Sequence, residues 1–146
     1  MSKLKLKLKI TTPERVLLEE EVEEIVVPTK TGQLTILPNH QATIAEIVPG
    51  EMIVRHGKDE KIALVFGGFI YIKEGSEVTI LADSAQHLNE INEKEAEEAR
   101  KRAEALMKDV QHDKAAFAEA EAELVRSLAR LKIVKKHRTH KNIKLN

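Results

Sequence analysis

The chain has 146 residues and balances 24 Lys and Arg against 24 Asp and Glu, so its formal charge is zero although a third of its residues are charged. That balance argues against a dedicated nucleic-acid binder, which needs excess cations to neutralise phosphates. With no cysteine, it has no disulfide, thiolate metal site or Cys nucleophile, which fits a reducing compartment. No apolar run approaches the length of a membrane span, and the start alternates Lys with Leu instead of forming a signal core.

All six glycines and all four prolines fall within the first 75 residues, so this half consists of short segments separated by turns. Leu4, Leu6, Leu8 and Ile10 alternate with Lys3, Lys5, Lys7 and Lys9, the period-two pattern of a half-buried strand. β-rich runs follow at 16–18, 22–27, 34–37, 43–48, 52–56, 62–66, 69–73 and 78–81. About nine or ten short strands with no helical pattern between them predict an antiparallel β-sandwich over residues 1–86. Gly67-Gly68 is too short for a phosphate loop and precedes a strand, so it reads as a tight strand connection.

From Leu88 the period becomes helical. Leu88, Ile91, Ala99, Ala103, Leu106 and Val110 form one stripe, and Phe117, Ala120, Leu124, Leu128, Leu131 and Val134 a second. Asp113 between them is suited to cap the second helix. The expectation is an antiparallel two-helix hairpin over 87–135 with an alanine-rich seam, only marginally stable alone, followed by a basic tail at 136–146. The charge is unevenly spread: residues 132–146 carry six cations and no acid.

No catalytic or metal site emerges. His137 and His140 sit three apart in a basic tail without accompanying carboxylates, and the acidic run at 19–24 lacks the spacing of a calcium loop. No serine occupies a nucleophile elbow. A marginal amphipathic hairpin ending in cations suits docking on an acidic protein partner.

Taken in order, Val26-Val27-Pro28-Thr29, Gly32, Leu34-Thr35-Ile36-Leu37-Pro38-Asn39-His40, Pro49-Gly50, Gly67-Gly68-Phe69 and Ile80-Leu81-Ala82-Asp83 resemble the epsilon subunit of the bacterial F-type ATP synthase over roughly residues 3–134. The resemblance implies a non-catalytic central-stalk rotor subunit without cofactor, at the cytoplasmic face of the cell membrane and touching the membrane only through its complex. Its sandwich would link the gamma subunit to the c-ring, coupling proton flow to ATP synthesis. Gly32 and Gln33 match the loop facing the c-ring, and Pro38, Asn39 and His40 the neighbouring signature turn; Gln33 stands where an acid is common, leaving polar contact in place of a salt bridge. The hairpin would inhibit ATP hydrolysis by extending into the alpha/beta catalytic hexamer, where Arg126, Arg130, Lys132, Lys135 and Lys136 are the candidates to meet carboxylates of the beta subunit. Some members bind ATP at an Ile-Asp-x-x-Arg-Ala motif. Here the matching stretch carries Asn92, Glu95 and Ala96, so a negative charge stands where a phosphate would lie and weak or absent ATP binding is expected. The alternative is a free-standing β-sandwich adaptor whose basic hairpin docks on an acidic partner.

Overall fold

A computed structural model describes residues 4–144, with side chains through Arg138. Two compact units divide between His87 and Leu88.

The first unit contains ten strands: β1 (Leu6–Thr11), β2 (Val16–Val22), β3 (Glu24–Thr29), β4 (Gly32–Ile36), β5 (Thr43–Ile47), β6 (Gly50–His56), β7 (Asp59–Val65), β8 (Gly68–Lys73), β9 (Glu77–Ala82) and β10 (Ala85–His87). They hydrogen-bond in the order β10-β7-β6-β3-β5-β8-β9-β1-β2, with β4 on β3, and fold over one core. The alternation in β1 is realised directly: Leu6, Leu8 and Ile10 are buried, and Lys7 and Lys9 are exposed. In β3, which pairs with β4, β5 and β6, Ile25, Val26 and Val27 are buried in succession. Each large aliphatic residue fully enclosed here contributes about 1.5–3 kcal/mol. Among the described strands every pairing is antiparallel except β1 with β9, which is parallel. That long-range pairing joins the first strand to the ninth and departs from a purely antiparallel expectation.

Gly67 and Gly68 form the expected tight connection between β7 and β8, both at positive φ (109° and 127°). A Cβ on Gly68 would overlap the Leu81 carbonyl oxygen and come within 2.8 Å of Ala82 Cα, so only glycine lets β8 lie this close to β9.

The second unit begins with a 3-10 turn at Leu88–Glu90 and contains α1 (Glu93–Asp109) and α2 (Lys114–Lys144). Asn92 caps α1, its Oδ1 accepting from the Glu95 N–H at 3.2 Å. Asp113 caps α2 as expected, its Oδ1 accepting from the Ala116 N–H at 3.1 Å.

The helix seam is built from smaller residues than the stripes suggest. Ala96 and Ala103 of α1 and Ala120, Ser127 and Leu131 of α2 are buried, while Leu106 and Leu128 are 48% and 47% exposed. The buried positions of α2 are Ala120, Ser127, Leu131 and Ile133, with Leu124 and Val134 partly buried, so Ser127 occupies the place expected for Leu128. Its hydroxyl bonds the Glu123 carbonyl at 2.9 Å, which satisfies the one polar group this substitution buries. The basic segment expected as a tail is instead helical through Lys144; residues 145 and 146 lie outside the described residues. It contains no Gly or Pro, and cations near a helix C-terminus are favoured by its dipole.

Candidate functional site

β4 separates two of the sequence-derived positions. Gly32 and Gln33 open the strand at the β3–β4 turn, where both are exposed and Gly32 has φ 120°. The turn is pinned from beneath: the buried Thr29 hydroxyl donates to the Gly32 carbonyl at 2.5 Å, and the Lys30 N–H donates to the Glu46 carbonyl at 3.0 Å. Pro38, Asn39 and His40 follow the far end of β4, on the order of 15 Å away at about 3.3 Å per residue. There the His40 N–H closes a turn on the Leu37 carbonyl at 3.2 Å, and Asn39 sits at φ 68°. The Asn39 N–H donates to the Ser76 hydroxyl at 2.9 Å, while the Ser76 carbonyl accepts from the Lys7 N–H at 2.8 Å, tying this turn to β1 and the β8–β9 turn. The two turns are thus hydrogen-bonded surfaces at opposite ends of one strand, and not one patch.

A third surface of the sandwich was not singled out from the sequence. Cross-strand register sets Ile44 opposite Tyr71 and Phe69 opposite Leu81 on the outward face of β5, β8 and β9. Ile44, Phe69 and Leu81 are 69%, 48% and 44% exposed, an apolar patch across two adjacent rows of the kind that marks protein contacts. The sequence signal is the run Phe69-Ile70-Tyr71-Ile72, apolar at inward and outward positions alike.

On the hairpin, the five candidate cations fall into two groups. At about 100° per residue, Arg126 and Arg130 share one side of α2 and Lys132, Lys135 and Lys136 another. Both arginines are engaged by one acid: Arg126 donates from Nε and Nη2 to Glu123 Oε2 at 3.1 and 2.9 Å, and Arg130 donates from Nη1 to Oε1 at 3.4 Å. Partial burial pushes the Glu123 carboxyl up and is the largest single influence, but the hydrogen bonds and charges of Arg126 and Arg130 together outweigh it and leave the group below its ordinary value. Lys132, Lys135 and Lys136 are exposed, so the second group is the more accessible.

At the start of α1, Asn92 is occupied in capping, Glu95 is exposed, and Ala96 is buried with its N–H on the Asn92 carbonyl at 3.0 Å. The adjacent groove, about 640 Å³, is lined by Asn92, Glu93, Glu97 and Glu98 together with Lys94, Lys101, Leu131 and Lys135. Its three carboxylates are matched by three lysines, so the wall offers no net positive charge to a polyphosphate. Among the described residues no three His, Asp or Glu side chains converge as a metal site would require, and no helix is long and apolar enough to cross a membrane.

A β-sandwich with hydrogen-bonded surface turns and an exposed apolar face, joined to a helical hairpin bearing cations, defines a protein that works by contact with other chains. Residues 5–88 match the family model of the ATP synthase delta/epsilon chain β-sandwich domain, and residues 89–135 match that of the delta/epsilon chain long α-helix domain. The chain is 40% identical over 139 residues to the ATP synthase epsilon chain of Dehalococcoides mccartyi strain BAV1, covering 95% of this chain and 99% of the relative. It is 39% identical over 132 residues to that of Levilactobacillus brevis, covering 89% and 94%. A chain in the mitochondrial ATP synthase OSCP/F1/c-ring structure of Euglena gracilis superposes with a TM-score of 0.70 at 25% identity, over 84% of this chain and 76% of that one. The chain belongs to the ATP synthase delta/epsilon family, as an epsilon-type subunit.

Proposed function

We propose that the chain is a non-catalytic rotor subunit of the central stalk of a proton-translocating ATP synthase, at the cytoplasmic face of the cell membrane. Its sandwich links the gamma subunit to the c-ring, and its hairpin restrains ATP hydrolysis at the beta subunits. The observation that carries this reading is the match of both domains, in order, to the delta/epsilon family models. In this reading the exposed β3–β4 turn with Gly32 and Gln33 offers polar contact to the c-ring, and Pro38, Asn39 and His40 support the sandwich's rotor contacts from the other end of β4. The gamma subunit is assigned the Ile44, Phe69 and Leu81 face, because a family that functions within a multisubunit complex must cover such apolar surface somewhere. Arg126, Arg130, Lys132, Lys135 and Lys136 serve the hairpin's contact with beta-subunit carboxylates, and the exposed lysines are the first to reach them. ATP binds weakly or not at all at Asn92, Glu95 and Ala96, and millimolar ATP should raise the melting temperature little or not at all.

Co-expression with the gamma subunit of the same organism tests the assignment. The chain should co-purify with gamma, and Ile44→Asp with Phe69→Asp should abolish this while leaving the fold intact. Failure of the unmodified chain to bind gamma would instead favour a free-standing adaptor.

A further inference from the structure

The family model of the helical domain ends at residue 135, yet α2 continues without interruption to Lys144. α2 has 31 residues against 17 in α1, an excess worth about 21 Å at 1.5 Å per residue. The start of α1 is strongly acidic: Glu90, Glu93, Glu95, Glu97 and Glu98 accompany a single cation, Lys94. Charge complementarity becomes contact where Arg138 Nη1 meets Glu93 Oε2 at 2.8 Å across 45 positions of chain.

A second observation supports the same pairing of ends. Lys135 shares a groove wall with Glu93, Glu97 and Glu98. Glu97 is held below its ordinary carboxylate value, first by its hydrogen bond to Arg100, with the charges of Arg100, Lys101 and Lys135 adding in the same direction against the cost of desolvation. The seam between the helices is meanwhile lined by Ala96, Ala103, Ala120 and Ser127, which bury little area per residue, so modest terms decide whether the hairpin stays closed.

We propose that the C-terminal extension of α2 is an electrostatic latch: Arg138, assisted by Lys135, clasps the acidic first turns of α1 and holds the hairpin closed. The latch acts on the hairpin alone; its consequence for ATP hydrolysis rests on the brake function proposed above. The closed latch engages Lys135 as well, so one opening movement both releases the hairpin and frees a cation for a partner.

Native-state hydrogen exchange on the isolated full-length chain tests the latch without the rest of the complex, since it registers opening even when the open form is rare. At low ionic strength, Arg138→Gln should lower protection of the Ala96–Arg100 amides by about two- to fivefold, the range of a partly exposed ion pair. Glu93→Gln should do the same, and the double variant should lose no more than the larger single effect. Deleting residues 136–146 should match Arg138→Gln, and salt should shrink the difference from the unmodified chain as the Debye length falls from about 30 Å to 3 Å. Unchanged protection in both Arg138→Gln and the deletion, or single effects that multiply in the double variant, overturns the latch. In the reassembled ATP synthase, Arg138→Gln should deepen inhibition of hydrolysis. Altered exchange with unaltered hydrolysis leaves the latch standing and removes the brake.

Discussion

Ser127→Leu tests the seam most sharply. Ser127 has no exposed surface and spends its hydroxyl on the Glu123 carbonyl of its own helix. Leucine brings two additional heavy atoms into a fully buried position of α2, in a hairpin whose other buried positions include Ala96, Ala103 and Ala120. Overpacking of this kind costs about 1–3 kcal/mol. At about 1.4 kcal/mol per tenfold, that lowers the closed-to-open ratio of the hairpin roughly 5- to 150-fold. Ser127→Ala keeps the volume and removes a hydroxyl satisfied only locally, so it should cost less than about 1 kcal/mol. Hydrogen exchange should show loss of protection in α1 and the first half of α2 for the leucine variant alone, with sandwich amides unchanged because that unit has its own core. Wild-type protection of the hairpin in Ser127→Leu would refute the close-packed small-residue seam.

Gly68→Ala should prevent stable folding of the sandwich, since the new methyl group would overlap the Leu81 carbonyl while the backbone stays at φ 127°; urea denaturation should show a loss of several kcal/mol, about 1–3 of it from backbone strain. The Glu123 carboxyl, lowered in the folded chain, contributes stability that is present above its unfolded pKa and lost as pH falls through the folded value. Acid titration of hairpin helicity should therefore show a step below the ordinary carboxylate range. With the side chain 39% exposed the step is worth a few tenths of a kcal/mol at most, and Glu123→Gln should remove it. Ile44→Asp with Phe69→Asp should leave the melting temperature within a few degrees of wild type, because both side chains already face solvent.

Much of this architecture is legible in local patterns. The Lys–Leu alternation sets β1 and its buried face, and the confinement of Gly and Pro to the first 75 residues marks where strands give way to helices. The break at Gln111-His112-Asp113 and the Asp113 cap were readable because capping is a matter of adjacent residues. Long-range arrangements were not. The parallel β1–β9 pairing joins segments some 70 residues apart and leaves no periodic trace. In α2, Leu128 looked like a seam residue because it is apolar, yet the heptad-like step of a close helix pair selects Ser127, whose small size counts for more than its polarity. Phe69 and Tyr71 are as apolar as their inward neighbours Ile70 and Ile72, so period alone could not reveal an exposed apolar face. The five candidate cations form one cluster in sequence and two groups on the helix, a division that appears only when they are wound at about 100° per residue. Arg138 read as part of a tail until its partner, 45 positions earlier, was brought beside it.

The central claim is that the sandwich couples and the hairpin restrains. Its most direct test is the ATP synthase assembled with the chain ended after His87, where the two units divide. The truncated subunit should still join the complex and support proton-driven ATP synthesis, while the rate of ATP hydrolysis rises above that of the complex carrying the full chain. Hydrolysis unchanged by the truncation would contradict the hairpin's restraining role, and loss of assembly would contradict a sandwich that carries the rotor contacts by itself.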